Sequence, residues 1–475
     1  MMESGLIDDW RPKGGRLTII RPTETACASA LRAPTDLTPP SFQQDAYLEM
    51  ARKAKQTGRR FDRLLLCAFT LAGEPDIDAL TNSLTAVVRR HDAFHSWFEL
   101  EESGIRRRIL EPDQIELTAQ FWGEFDGRLV SRIVQRLTPG PANWDCFTFA
   151  VIDHGGSFTV VVACDHLNVD AVSGAIISAE VFQCYFDPGA QARLDQTPVA
   201  SYREYCARER AEAAELDERS PQIIEWADRI EANGGKLPSF PLTLHEEPGA
   251  PTMAASSRQV LLSGSAAQAF EGECAKAGVR LVSGIFAAAA YADYRLSGRT
   301  RYFNLSPKNT RFGAAEQRTV GWYASLIPID FEFDPAEGFA TTARRAEAAF
   351  AAGKSLSNVS LHRVVELLEQ REGFHVRRGW VAPMLSFLDL RKLPGAELFS
   401  ALDFSFFGSR GTSEEVYTWV QRTDDTIWAA SLFPDTELAD EAMTRYYEAI
   451  AVVMESVARS GAEVPADDVV MTGCS

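Results

Sequence analysis

The chain has 475 residues, 45% of them hydrophobic, with 66 acidic against 48 basic side chains and a formal net charge of −18. That length and apolar content can bury a large core divided over two or three domains. The acidic excess excludes sequence-independent attachment to nucleic acid and broad electrostatic attachment to anionic lipid. No apolar run approaches the ~20 residues that span a bilayer. The opening Met1-Met2-Glu3-Ser4-Gly5 lacks the basic-then-apolar layout of a secretory leader. A cytoplasmic protein is expected, in contact with the inner membrane face at most peripherally.

The eight cysteines form no C-x-x-C pair and keep no regular spacing, so neither a disulfide framework nor a metal site is expected. Residues 1 to about 38, rich in Pro, Thr and Arg, read as an extended or strand-bearing entry segment. Phe61 to Leu71 reads as a strand. Asp76, after Pro75, is an N-cap for a helix over 77–91 in which Ile77, Leu80, Leu84, Val87 and Val88 keep a 3.6 period. Phe94 to Leu100 and Ile105 to Leu110 read as strands, the second carrying Arg106-Arg107-Arg108 on an exposed face; Leu129, Val130, Ile133, Val134 and Leu137 mark another helix. Residues 202–233 are charged and helical, and the Gly- and Pro-dotted stretch that follows reads as a connection between domains. The boundaries are therefore placed at 1–220, a linker over 221–257, and 258–475.

Beyond it, Arg258 to Ser263 reads as a strand, Ser265 as a helix cap, and Val282 to Leu296 as an Ala-rich helix. Strand signals follow at Tyr302–Leu305, Tyr323–Phe333, Ala382–Leu390, Val416–Val420 and Thr426–Phe433, before a last helix from about Leu438 to Ala458. The fold class is thus mixed α/β, in α+β layers. The segment Asp403 to Gly408 reads as structural, with Phe404 and Phe406 on one strand face.

The most informative stretch is Cys164-Asp165-His166-Leu167-Asn168-Val169-Asp170. It follows the β-branched and aromatic run Ser157 to Ala163, itself preceded by a Gly155-Gly156 turn, and it leads into a helical pattern from Val172 to Phe186. His166 is therefore placed in a strand-to-helix turn. A neutral imidazole there can take a proton from a hydroxyl near pH 7, with the carboxylate four residues on ordering the turn. From spacing alone, a partly buried histidine satisfied by backbone groups is an equal alternative.

Four separated stretches together resemble the condensation-domain superfamily, which includes chloramphenicol acetyltransferase, nonribosomal peptide condensation domains and the polyketide-associated (Pap) acyltransferases. They are Ser41-Phe42-Gln43-Gln44, like S-x-x-Q; Arg90-His91-Asp92-Ala93-Phe94, like R-H-[DE]-x-[LF]; His166 to Asp170, like H-x-x-x-D; and Val320 to Pro328, like V-G-x-[FW]-x-N-x-x-P. Arg89 to Glu99 and Asn309-Thr310-Arg311 make the likeness nearest to the Pap acyltransferases that esterify trehalose-type glycolipids. The sequence departs from the family at three positions: Asp165 where a histidine is common, Ala171 where glycine is usual, and Ser325 where asparagine is common.

The resemblance implies two chloramphenicol acetyltransferase-like subdomains forming a V with a central tunnel, and transfer of a fatty or polyketide acyl group to a hydroxyl. The donor would be an acyl-CoA or carrier-protein thioester, from a polyketide synthase carrier domain for instance, and the acceptor a trehalose-type sugar or other alcohol. His166 would be the general base and Asp170 the residue that holds its turn, with no acyl-enzyme, no metal and no cofactor beyond the thioester. Asp165, Arg311, Trp322 and Tyr323 are candidate substrate contacts, with Arg311 alternatively steadying the site. His91 has a helix-capping role as its simplest explanation. A monomer is expected. The competing functions are an amide-forming condensation domain of peptide assembly and a catalytically inactive binding module.

Overall fold

The computed structural model describes residues 3–461 apart from 60, 188, 247–251, 370, 372–373, 375 and 377–379. The chain folds into two compact units, each on its own seven-stranded sheet. The first unit comprises Met1–Glu212, Arg311–Ala324 and Lys392–Gly411; the second comprises Ala213–Thr310, Ser325–Arg391 and Thr412–Ser475. This mixed α/β layering agrees with the class read from the sequence, whereas the simple division at 221–257 does not. Pro221–Ala232 is a helix whose Ile223, Trp226 and Ile230 are buried, and the strand Thr252–Ser263 already runs through the end of the expected linker. A Gly- and Pro-rich composition marks a chain that turns often, and here the turns frame packed elements.

In the first unit the strand order is Glu3–Leu6, Ser405–Gly408, β1 (Leu64–Ala72), β2 (Ser157–Asp165), Phe147–Asp153, Gly15–Pro22 and Leu117–Phe125. β2 reads as an unbroken apolar run because both of its faces are covered. Phe158, Val160, Val162 and Cys164 enter one core with Leu80, Leu84 and Val87 of helix α2 (Ile77–Arg90) and Ile176 and Ile177 of helix α3 (Ala171–Phe186). Val161 and Ala163 point the other way, to Val130 and Val134 of the helix Gly127–Leu137. The period of two thus persists inside a run that hydropathy alone cannot resolve. Gly155 and Gly156, at φ +72° and +96°, make the tight hairpin that starts β2, and Asp76 caps α2 as expected.

The second unit orders its strands Ala324–Glu332, Arg301–Asn309, Met384–Asp389, Tyr417–Arg422, Thr426–Pro434, Thr252–Ser263 and Thr412–Ser413. Its core gathers the Ala-rich helix Leu281–Ser297, where small side chains permit close approach to the helices Phe339–Ser355 and Glu437–Ser460. Among the described residues no helix is long and apolar enough to cross a membrane.

Three local expectations are corrected. The 202–233 helix is two, Tyr202–Ala214 and Pro221–Ala232, because proline can begin a helix but not continue one. The helix after Arg258–Ser263 starts at Gly264, with Ser263 in the N-cap position making no side-chain capping bond, so Ser265 lies inside the helix. The basic triplet does not share one exposed face: Arg106 is exposed, but Arg107 is 3% exposed, donates to Thr38 O, Pro39 O and Ser96 Oγ, and lies over the Phe98 ring.

Helix α3 carries Asp170 at its N-cap and reaches β1 closely enough that a Cβ on Gly174 would stand 2.5 Å from Cys67 Sγ. Overpacking costs about 1–3 kcal/mol and alanine returns up to ~1 kcal/mol of helix propensity, so Gly174→Ala should cost up to about 2 kcal/mol. Urea denaturation should show no net gain, and adding Cys67→Ala should restore part of any loss; a Gly174→Ala protein more stable than the parent by the full ~1 kcal/mol of helix propensity would contradict such close packing.

Candidate active site

The turn that presents His166 is held from three sides. Its own N–H donates to Arg63 O at 2.7 Å, continuing the β1–β2 ladder one step past the strand end. Asp165 Oδ1 accepts from Leu167 N–H at 3.0 Å, and Oδ2 accepts from Tyr47 OH at 3.0 Å. Leu167 O accepts from Gln44 Nε2 at 2.9 Å. Gln44 also closes a capping box with Ser41 at the start of helix α1 (Phe42–Gln56), so the S-x-x-Q element both begins a helix and ties that helix to the turn.

His166 keeps part of its surface in solvent. Its Nδ1 is sealed and has no hydrogen-bond partner among the described residues, whereas Nε2 is neither sealed nor held by any bond. Trp322 lies against the ring, with centroids 4.1 Å apart. Burial first, and then the nearby positive charge of Arg63, pushes the imidazole down to about 4, so the ring is neutral throughout the physiological range.

Asp170 caps α3, accepting from Ser173 N–H at 2.8 Å, and also receives the Arg311 guanidinium as a fork: Nη1 to Oδ2 at 2.7 Å and Nη2 to Oδ1 at 3.0 Å. Tyr323 N–H donates to the same Oδ2 at 3.1 Å. The Ser173 hydroxyl accepts from Gly321 N–H and Arg311 Nη2, both at 3.0 Å, while Arg311 donates further to Thr319 O and Gly321 O. The segment 311–324 is thereby fixed to the N-terminus of α3, and Trp322 is delivered to His166. Gly321 is required there, because a Cβ would stand 2.4 Å from the Tyr202 ring.

Of the sequence candidates, His166, Asp170 and Trp322 come together at one place. Asp165 does not contact substrate: it is fully buried, and burial pushes its carboxyl up to about 7 against the bonds from Leu167, Tyr47 and Arg63 that favour its anion. Arg311, whose side chain is sealed from solvent, steadies the site and cannot bind an acceptor. Tyr323, 1% exposed, packs between Tyr202, Tyr205 and Arg311. His91 is not a simple cap; it is buried, contacts Glu180 Oε2 at 2.9 Å through Nε2, and accepts from Val320 N–H at 3.4 Å through Nδ1. Its tautomer follows from that pair of contacts. Gln44 was singled out only as the last residue of the S-x-x-Q element, and Tyr47, Arg63 and Ser173 were not singled out in the sequence. Only Gln44 had a legible signal, as the fourth residue of the capping box.

The profile of the family described as "Condensation domain" matches residues 65–404. The chain belongs to the condensation-domain family. Its full-length relatives include the acyltransferase PapA3 of Mycobacterium tuberculosis (strain CDC 1551 / Oshkosh), 31% identical over 96% of this chain and 97% of that protein. The 2'-acyl-2-O-sulfo-trehalose (hydroxy)phthioceranyltransferase PapA1 of the same strain is 32% identical over 97% of this chain and 89% of its own length. Among solved structures, the PapA2 acyl transferase superposes with a TM-score of 0.86 at 29% identity, covering 96% of this chain and all of that one. The Pap likeness read from the sequence is correct, and the chain is an acyltransferase.

Within this condensation-domain acyltransferase, the departures have separate consequences. Asp165 serves the turn from behind, and Ala171 is an ordinary first residue of α3 with no positive φ to call for glycine. Ser325, in the second unit, has a buried Oγ with no hydrogen-bond partner among the described residues. Cutting one side of the Asp170–Arg311 pair strands a buried charge, which costs about 3–5 kcal/mol. Asp170→Asn and Arg311→Met should each destabilise by roughly that amount in denaturant titrations. The double variant should cost well under their sum, and strict additivity would show that the pair is not coupled.

Proposed function

We propose that this acyltransferase moves a fatty or polyketide acyl group from the thioester of coenzyme A or an acyl carrier protein to a hydroxyl of a trehalose-type sugar, with His166 as general base. The observation that carries this reading is a neutral, solvent-reached imidazole whose Nε2 has no partner of its own. The activities named for the relatives support the acceptor: besides the sulfo-trehalose enzyme above, PapA2 of Mycobacterium bovis, 32% identical over 93% of this chain, is a trehalose-2-sulfate acyltransferase.

In the proposed step Nε2 removes the proton of the acceptor hydroxyl as its oxygen bonds to the thioester carbonyl carbon. Collapse of the tetrahedral adduct breaks the carbon–sulfur bond, and the departing thiolate takes the proton back from the imidazolium. Proton and electron pairs balance without an acyl-enzyme, a metal or a further cofactor. Asp170 and Arg311 do not touch the reacting atoms; they are positioning residues that fix the turn and Trp322. The protein would act as a cytoplasmic monomer, at most peripheral to the membrane.

His166→Ala should lower kcat by about 100- to 10,000-fold with an acyl-CoA and trehalose or its 2-sulfate, followed by intact mass of the product ester. A variant keeping half the parent rate would discard the base. The direction of the pKa shift sets the pH profile as well. A base that charges only near 4 stays competent as pH falls through 6.5, so kcat/KM should lose no activity to His166 protonation around 6.5 and should fall with a limb near 4. Stability carries the same sign: the unfolded chain binds this proton between about 6.5 and 4 while the folded protein does not, so acidification across that window weakens the fold. An acid limb at 6.5 assigned to His166 by its absence in a variant would contradict the buried setting of the ring.

A further inference from the structure

Among the described residues Arg63 is a cation whose guanidinium meets only the face of the Tyr47 ring. Leu64 pairs with Asp165 and Leu65 with Cys164 in the antiparallel ladder, and the bond from His166 N–H to Arg63 O continues that register to place Arg63 opposite His166. Opposed residues of an antiparallel pair send their side chains to one face. The guanidinium lies 5.9 Å from the Tyr47 ring, which meets Trp322, the ring against His166, and its charge acts on the imidazole. Arg90, Arg107, Arg311 and Arg422 are all bound to carboxylates, hydroxyls or carbonyls. Among the described residues the partly exposed guanidinium of Arg63 has neither an ion pair nor a hydrogen bond.

We propose that Arg63 selects the acceptor, by receiving a sulfate or phosphate ester that the sugar carries close to its reacting hydroxyl. This deepens the function proposed above and rests on it. A guanidinium offers a planar fork that matches two oxygens of such an ester. In a chain of net charge −18, an unpaired cation beside the base is a rare local attraction for an anion. The donor's own phosphates cannot be its target, because the whole pantetheine arm separates them from the thioester that reacts at His166. An acceptor anion seated on Arg63 would also cancel the positive charge that weakens the base, so the acceptor carrying it would meet a more basic imidazole.

The test is calorimetric titration of the full-length protein, without acyl donor, with trehalose, trehalose 2-sulfate and a trehalose phosphate. A charge-assisted fork should make one or both esters bind roughly ten- to hundredfold more tightly than trehalose, and which ester prevails separates the two sources. Arg63→Gln should abolish the preference, and Arg63→Lys, a point charge without the fork, should keep part of it. The proposal is overturned if the parent protein shows no preference, or if Arg63→Gln retains it, including the case where that variant loses only kcat. Turnover with acyl-CoA, run in parallel, separates the two levels: a parent that prefers the ester yet acylates no sugar would sink the acyltransfer reading of His166 and leave the anion site standing.

Discussion

The carboxylate of Asp170 is the point on which this site depends. Its two oxygens are shared among the N-terminus of its own helix, the fork of Arg311 and the backbone N–H of Tyr323. One partner lies in its own helix and two lie in the 311–324 segment, so one side chain fixes where α3 begins, where that segment lies and hence where Trp322 meets His166. A buried ion pair with unmet hydrogen bonds would be a liability; this one has its donors and acceptors satisfied by Ser173, Thr319 and Gly321. Its contribution is therefore read as specifying one arrangement rather than as raising stability.

The second constraint is electrostatic. His166 sits where burial and a neighbouring guanidinium both disfavour its charged form. Such a ring rests as a neutral acceptor and surrenders a captured proton readily, which suits a step in which the proton is taken from one substrate and given to the other. Asp165, one residue earlier, is turned inward beneath the strand and holds the backbone through Leu167 and Tyr47. Two carboxylates five residues apart in sequence, at 165 and 170, thus brace the same turn from opposite ends.

Much of this was legible from residue types. The 3.6 period of α2 and its Asp76 cap, the glycine hairpin before β2, and the strand-to-helix placement of His166 all follow from local patterns, and these are the elements the structure reproduces. Long-range partners were not legible. Nothing in the neighbourhood of Tyr47 or Arg63 announces contact with a turn over 100 residues away; that contact comes from strand pairing, whose register depends on the whole sheet. Burial was misjudged wherever a charged residue met a satisfied interior site, as at Asp165, Arg107 and Arg311, because sequence shows the charge but not the carbonyls and hydroxyls waiting for it. The domain boundary failed for a related reason: 311–324 and 392–411 are remote in sequence yet belong to the first unit.

A crystal structure of the Asp170→Ala protein tests the central dependence most directly. With the carboxylate gone, Arg311 and Tyr323 N–H lose their shared acceptor, and the account predicts that 311–324 shifts and that Trp322 leaves the His166 ring it now meets at a centroid distance of 4.1 Å. Trp322 still seated on His166, with 311–324 unmoved, would contradict it and hand the positioning of the site to the surrounding aromatic packing.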